Sequence, residues 1–215
     1  MRRVELAARR LSAALAACLF GVGLAAAEPT AIGVVDKVQP QVEATQDGQT
    51  RALAANSDLY FRDRCRSGDG ARLQATLKDG TQLTLGEHTT LVVDEFVYDP
   101  TKSPGQLAVR FAKGAFLYVG GRIEGEPGAR VKISTAVAAL GVRGTTVWGG
   151  PIDKGFGVLA LSGEVTVTGR RGTVTLRQGQ GTMLFADGKP RPVVRWPETK
   201  VKRALATVSF RPGGQ

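Results

Sequence analysis

The feature that most constrains this chain is a two-residue alternation of apolar and polar side chains, which begins at Ala31 and recurs in short bursts up to Phe185. Each burst ends at a glycine, an Asp-Gly pair or a proline. Side chains of a β-strand point alternately to its two faces, so the alternation predicts many short strands joined by tight turns. The 28 glycines, about 13% of the chain against a usual level of roughly 7%, favour the same interpretation.

We therefore predict a single all-β domain of many short strands, built as a β-roll or a short β-solenoid, with a β-sandwich as the alternative. The phrase Gly-Thr opens several strands, as at Gly80-Thr81 and Gly144-Thr145, and supplies a turn residue followed by a β-branched one. The predicted strands are Ala31 to Val38, Gln41 to Ala44, Arg72 to Leu77, Thr81 to Leu85, Thr90 to Tyr98, Gln106 to Ala112, Ala115 to Val119, Arg130 to Ser134, Thr145 to Trp148, Gly157 to Leu161, Glu164 to Thr168, Thr173 to Arg177 and Thr182 to Phe185.

The first 27 residues have the pattern of a secretory signal peptide. Arginines give a positive start, Leu11 to Leu24 is largely apolar, and Ala25-Ala26-Ala27 offers a cleavage site of small residues. We predict cleavage before Glu28 and a mature protein in the periplasm, with no integral membrane segment left. Two alternatives stay open: an uncleaved N-terminal membrane anchor, and a lipid anchor at Cys18, which follows Leu15-Ala16-Ala17 as in a bacterial lipobox.

The chain is strongly basic, with a sequence pI near 10.1 and a net charge of +10 that becomes +7 when residues 1–27 are removed. In an exported protein this charge favours anionic envelope polymers, phospholipid head groups or an acidic protein face as partners. Nucleic acid is excluded as a partner, because the sequence shows neither a binding helix nor interleaved aromatic residues. After cleavage Cys65 is the only cysteine, so no intramolecular disulfide can form.

The mature chain divides into an all-β domain at residues 28–189 and a basic tail at residues 190–215. In the tail the cationic side chains oppose a single acidic residue, Glu198. The pair Pro197-Glu198 is typical of a helix start and predicts a short helix that runs to about Ala206. Stretches rich in glycine and proline predict loops at Pro100 to Gly105 and Gly120 to Gly128.

Three further stretches carry a resemblance to a known family. They are Lys78-Asp79-Gly80-Thr81-Gln82-Leu83-Thr84-Leu85-Gly86, then Val131-Lys132-Ile133-Ser134-Thr135 with Gly141-Val142-Arg143-Gly144-Thr145, and finally Leu161-Ser162-Gly163-Glu164-Val165-Thr166-Val167. In this order they resemble a FecR domain, and the resemblance extends from about Arg51 to Phe185. One position departs from the family pattern, because Thr135 is followed by Ala136 where the family usually has proline.

The resemblance implies a non-enzymatic module that passes a signal by protein contact, often to a membrane-embedded signalling protein. The better-known members join a cytoplasmic anti-sigma segment and a membrane helix to the β domain. This chain is expected to be the stand-alone exported form, which cannot bind a sigma factor itself. The alternative is a structural envelope protein that binds an anionic polysaccharide or another envelope polymer. The motif residues are expected to be structural: Asp79, Gly80, Thr81, Gly141, Arg143, Gly144 and Thr145.

No set of side chains in the sequence suggests catalysis, a cofactor or a metal site. His88 is the only histidine, no Gly-x-Ser-x-Gly phrase is present, and Glu87-His88 is expected to be an exposed turn. Asp94, Glu95 and Asp99 form an acidic cluster that could attract a hard cation, but Asp94 and Glu95 are adjacent on a predicted strand and point to opposite faces, so this pair cannot chelate one ion. We predict that the protein is not an enzyme and holds no cofactor.

Arg143, between Val142 and Gly144, has two interpretations. Its five donors could satisfy carbonyl groups at a turn, or its guanidinium could face a carboxylate of a partner. We predict the first, a buried guanidinium that holds the turn made by Gly141 and Gly144.

Overall fold

The computed structural model describes residues 30–211, and β-strands make up most of this part of the chain. The predicted signal segment, residues 1–27, lies outside it. Within it, no helix is long and apolar enough to cross a membrane. The prediction of an all-β fold with a short C-terminal helix is confirmed. The elements are β1 (Ala31–Gln39), β2 (Val42–Gln46), β3 (Gln49–Leu53), β4 (Asp58–Tyr60), β5 (Arg64–Ser67), β6 (Arg72–Leu77), β7 (Gln82–Leu85), β8 (Thr90–Asp99), β9 (Lys102–Ala112), β10 (Phe116–Val119), a 3-10 turn (Arg122–Gly125), β11 (Arg130–Ser134), β12 (Ala138–Ile152), β13 (Gly155–Gly169), β14 (Gly172–Arg177), β15 (Gln180–Leu184), β16 (Val194–Arg195) and α1 (Glu198–Ala206).

The sequence pattern locates some strands closely and misses others. β6 and β11 have the predicted bounds, whereas β3, β4, β5, β16 and the first half of β12 are missed. The two strands predicted between Gly157 and Thr168 are the single strand β13. The predicted loop from Pro100 to Gly105 is wrong over most of its length, because β9 begins at Lys102. Pro104 is tolerated there because it lies before the segment of β9 that pairs with β11, so that its missing N–H removes no hydrogen bond to β11.

The described strands form one continuous sheet of 16 strands. The main path runs β3-β2-β5-β8-β9-β11-β12-β10-β7-β6-β1-β4, and β13 to β16 continue from β12. Neighbouring strands are antiparallel, apart from the parallel pair β9 and β11. The first half of β12 pairs with β11 and its second half with β10, so β12 and its partner β13 join the two halves of the sheet. The sheet curls into an open half-barrel.

The curled sheet encloses a continuous apolar core. Side chains from both halves contribute to it, for example Leu91 and Leu107 from one and Leu73 and Leu83 from the other. The rings of Phe111 and Phe116 stack 4.0 Å apart across the short turn that joins β9 to β10. The burial of this apolar surface therefore stabilises the fold.

Cys65 lies fully buried in β5 and forms no disulfide within the described part of the chain. Burial raises the pKa of its thiol to about 12, and the neighbouring Asp63 carboxylate adds to the shift. The thiol is therefore neutral at physiological pH and acts as a small hydrophobic side chain.

An ion pair ties β3 to the segment that follows β4, the two ends of the main strand path. The guanidinium of Arg51 donates two hydrogen bonds to the Asp63 carboxylate, at 2.8 and 2.5 Å, and a third to the carbonyl of Asp58 at 3.1 Å. Asp63 is buried and also accepts the backbone N–H of Tyr60 at 2.7 Å. Because these bonds are charge-assisted and one partner is buried, the pair fixes the geometry of this part of the sheet.

The C-terminal segment packs against the outside of the sheet through a second apolar cluster. Trp148 of β12 is fully buried there, in one cluster with Trp196 and the helix residue Ala204, and its ring lies 5.9 Å from that of Trp196. The indole N–H of Trp148 donates to the hydroxyl of Thr207 at 3.1 Å. Asp153, in the turn between β12 and β13, pairs with cations of α1, and this pairing lowers the pKa of its carboxyl. Residues 194–208 are thus in extensive contact with the sheet.

Candidate functional site

The first motif stretch forms a tight turn around a buried carboxylate. Asp79 is buried, and its carboxylate accepts the Thr81 backbone N–H at 3.0 Å and the Thr81 hydroxyl at 2.7 Å. Gly80 between them has φ +86°, a left-handed conformation that favours glycine. The Asp-Gly-Thr phrase is therefore a self-bonded turn whose polar atoms are directed inward.

This turn holds the loop that precedes the 3-10 turn Arg122–Gly125. The N–H of Gly121 donates to the Thr81 hydroxyl at 3.1 Å, and the N–H of Arg122 donates to the Asp79 carbonyl at 2.9 Å. A side chain at Gly121 would overlap the backbone of Thr81 and would lie 2.7 Å from the Asp79 carbonyl oxygen. Only glycine can approach the turn so closely.

The second motif stretch meets the same 3-10 turn from the other side. The N–H of Thr145 donates to a carboxylate oxygen of Glu124 at 2.8 Å, and the N–H of Gly120 donates to the Thr145 carbonyl at 2.9 Å. Thr145 follows Gly144, where the pairing of β12 with β13 is interrupted between Arg143 and Thr146. The Glu124 carboxylate thus satisfies a backbone donor that the interrupted strand ladder leaves without a strand partner.

The third motif stretch completes the bend on the neighbouring strand. Gly163 of β13 has φ +68°, opposite Gly144 of β12 with φ +59°. A side chain at Gly163 would overlap the Gly144 carbonyl oxygen. At this bend, the Ser162 hydroxyl accepts a hydrogen bond from the backbone N–H of Thr146 at 2.9 Å. Both strands therefore bend together, at the point where β12 changes its pairing from β11 to β10.

The three motif stretches converge on one structural junction, which we call the motif junction: Asp79, Thr81, Gly121, Glu124, Thr145 and Gly163. Tyr118 of β10 is buried beside it. Burial raises the pKa of the Tyr118 phenol well above its usual value, and the Glu124 carboxylate adds to the shift, so the phenol stays neutral. The junction is an internal network of backbone and carboxylate contacts that braces the bend in the sheet.

Arg143 departs from the prediction made for it. Its side chain is exposed, and the expectation of a buried guanidinium that holds the turn is wrong. The alternation of β12 explains the difference, because Leu140 points into the core and the residues at odd positions, Gly141 and Arg143, point outward. Within residues 30–211 the Arg143 side chain forms no ion pair or hydrogen bond. It lines a groove of about 380 Å³ between β12 and the 3-10 turn.

The other polar residues singled out in the sequence lie apart from the motif junction. Glu87 and His88 form an exposed turn, as expected, and His88 contacts the exposed Asp69 at 3.2 Å. Asp94 pairs with Arg110 across the sheet, and Asp99 pairs with Lys102. No group of three or more His, Cys, Asp or Glu side chains suited to a metal ion occurs in the part of the chain that the structure describes.

Glu124 and Gly121 are functional parts of the junction that the sequence pattern does not identify. Both fall in the stretch Gly120 to Gly128, predicted only as a loop. Its many glycines were a signal of close backbone approach, since Gly120 and Gly121 each have no room for a side chain. Nothing in the local sequence indicates that Glu124 would turn inward to a strand 21 positions later.

The fold and the junction define an all-β protein whose motif residues stabilise a bend in a curled sheet. A family model described as FecR protein matches residues 63–174, just over half of the chain. This chain belongs to the FecR family, which confirms the resemblance seen in the sequence.

Two crystal structures of a protein described as an anti-sigma factor from Parabacteroides distasonis share the fold. The structure at 1.65 Å resolution has a TM-score of 0.54 and 20% identity, over 66% of this chain and 64% of that one. The structure at 2.50 Å has a TM-score of 0.53 and 20% identity, over 66% and 63% of the two chains. This chain thus spans slightly less than two thirds of the length of these structures. A comparison with the curated proteins gives no match.

Because the Arg143 guanidinium is exposed and has no partner among residues 30–211, Arg143→Ala is expected to change the free energy of unfolding by less than about 0.5 kcal/mol. Thermal unfolding of the purified domain measures this. The matched variant is Glu124→Ala, which strands the N–H of the buried Thr145 and is expected to cost about 1 to 3 kcal/mol. If Arg143→Ala were as destabilising as Glu124→Ala, the guanidinium would have a structural role after all.

Proposed function

We propose that this chain is a non-enzymatic binding and relay module of an envelope signalling system, and that it acts in the periplasm by protein contact. Membership of the FecR family supports the relay role, because the family is regulatory rather than catalytic. Its structural neighbours, described as anti-sigma factors, point to the same kind of pathway. The secretory pattern of residues 1–27 supports the location.

The observation that supports the proposal most strongly is that the polar motif residues differ in direction: some make contacts inside the protein and Arg143 faces outward. Asp79, Thr81 and Thr145 use their polar groups in internal contacts, whereas Arg143 directs a charged group outward that has no ion pair or hydrogen bond within residues 30–211. Exposed, unpaired arginine is a common anchor of protein interfaces. A module with a rigid braced sheet and outward charges is suited to recognise another protein surface.

The test combines location with signalling output. In the organism that produces it, the protein is expected in the periplasmic fraction, with the intact mass of a chain whose first residue is Glu28. Deletion of its gene is expected to change the transcripts of a defined set of genes, and plasmid-borne wild type is expected to restore them. Recovery from the cytoplasm alone, or unchanged transcripts in every envelope stress tested, would contradict the proposal. Tight binding to an envelope polysaccharide without a transcript change would favour the structural role instead.

A further inference from the structure

On the outer face of the sheet, the part formed by β9, β11, the first half of β12, the second half of β13 and β14 lies away from the C-terminal segment, which packs around Trp148 and Leu159. The strand register aligns Ala108, Lys132, Gly141, Thr166 and Thr175 in one row across these five strands. A neighbouring row, two residues along, contains Gln106 with Arg130 and Glu164 with Arg177. In that row Arg143 is the cross-strand partner of Glu164.

Cations dominate this face. We call it the cationic face and define it by six residues: Arg130, Lys132, Gly141, Arg143, Thr166 and Thr175. Its three cations are all exposed, as is Gly141, and no other element packs on them within the described chain. Arg130 lies on β11 and Arg143 on β12. The register that pairs Lys132 with Gly141 places these two arginines opposite each other when it is continued by two residues.

The acidic groups around the cationic face make their contacts with residues other than Arg130, Lys132 and Arg143. Glu164 pairs with Arg177 at 3.5 Å, and Asp94 pairs with Arg110. Beside Arg143, Glu124 accepts the N–H of Thr145 at 2.8 Å and Glu126 accepts the N–H of Gly105 at 2.6 Å.

The three cations of the face have no ion pair within residues 30–211, and Arg130 donates only to the neutral Gln106 at 3.3 Å. Because no carboxylate of residues 30–211 forms an ion pair with these three cations, they are available to donate charge-assisted hydrogen bonds to carboxylates of a partner.

We propose that the cationic face binds an acidic segment of a partner protein. This inference rests on the proposed function and names the chemistry of its partner. Two arginines present planar guanidinium groups that match carboxylates, and Lys132 adds a point charge in the neighbouring row, opposite Gly141. The floor of Gly141 and threonine side chains is low, so an extended segment can approach the arginines closely. The face has no aromatic ring on which a sugar could stack, so carboxylates of a protein fit it better than a polysaccharide does.

The test uses charge reversal on the mature protein. The variant Arg130→Glu/Arg143→Glu alters the face, and Arg170→Glu/Arg171→Glu is the matched control, because these two exposed arginines lie in the turn between β13 and β14. The probe is a fluorescently labelled peptide of alternating glutamate and serine, with binding followed by anisotropy at several salt concentrations. We expect the face variant to bind about tenfold more weakly or worse, and the control within about twofold of wild type.

Thermal melts establish that both variants are folded, and the single change Lys132→Gln provides a milder reduction if the double variant is unstable. Equal losses in the face variant and the control would overturn the proposal, because binding would then follow net charge alone. Preference for alginate, or for vesicles of phosphatidylglycerol, over the peptide would overturn it as well.

A second arm separates this inference from the proposed function. Each variant replaces the wild type in the producing organism, and the transcripts that depend on the protein are measured. Loss of the response in the face variant alone supports the inference. A face variant that signals like wild type refutes the cationic face but leaves the relay role intact, whereas a wild type without any signalling output refutes the relay role itself.

Discussion

Gly163→Ala is expected to lower the free energy of unfolding by roughly 2 to 5 kcal/mol, which corresponds to a melting temperature lower by roughly 5 to 15 °C. Two effects add. The new side chain would overlap the carbonyl oxygen of Gly144 and lie 2.8 Å from that of Arg143. Alanine would also have to adopt φ +68°, a conformation that side chains disfavour. Differential scanning calorimetry measures the change.

Gly144→Ala is the matched control, because Gly144 has a similar φ of +59° but nothing within 4 Å of the added side chain. It is expected to cost only the backbone strain, about 1 to 2 kcal/mol. The difference between the two variants isolates the close approach of β13 to the β12 bend. If both variants lost the same stability, the tight contact at Gly163 would not be a feature of the folded protein in solution.

The pattern of apolar residues predicts a strand well where a strand has one buried face. β6, with Leu73, Ala75 and Leu77 all buried, alternates cleanly and has the predicted bounds. β5 has only Cys65 as an apolar inward residue, between two arginines, and the periodicity is too short to detect. The apolar alternation in the sequence therefore reports which strands have a buried face. Short strands that are held mainly by hydrogen bonds to their neighbours show too little alternation to be predicted.

The motif junction could be predicted only in part, for a related reason. The Asp79-Gly80-Thr81 turn depends on local bonds, which the sequence displays. Glu124 and Gly163 act through contacts with residues far along the chain, and such contacts follow from the curl of the whole sheet. The outward position of Arg143 follows from the alternation of β12, because Leu140 is buried and a residue three positions later points to the opposite face. The flanking glycines suggested a buried turn instead.

The C-terminal segment provides a second large effect, centred on Trp148. Trp148→Ala is expected to cost about 3 to 5 kcal/mol, because it removes a fully buried ring and leaves a cavity. Gly150 and Gly157, whose backbones approach the ring, have no side chains with which to fill that cavity. The upper part of the range is therefore expected, as a loss of roughly 10 °C or more in melting temperature.

The variant Thr207→Ala separates ring packing from the hydrogen bond that the indole N–H makes with the Thr207 hydroxyl. It keeps the ring in place and is expected to cost only about 1 kcal/mol. Trp148 and Trp196 are the only tryptophans of the protein, and both are buried, so the emission maximum reports on this cluster directly. If removal of residues 194–215 left the emission maximum and the stability of the remaining chain unchanged, the C-terminal segment would not pack on Trp148. We expect instead a red-shifted emission and a loss comparable with that of Trp148→Ala, because the segment and the ring bury each other.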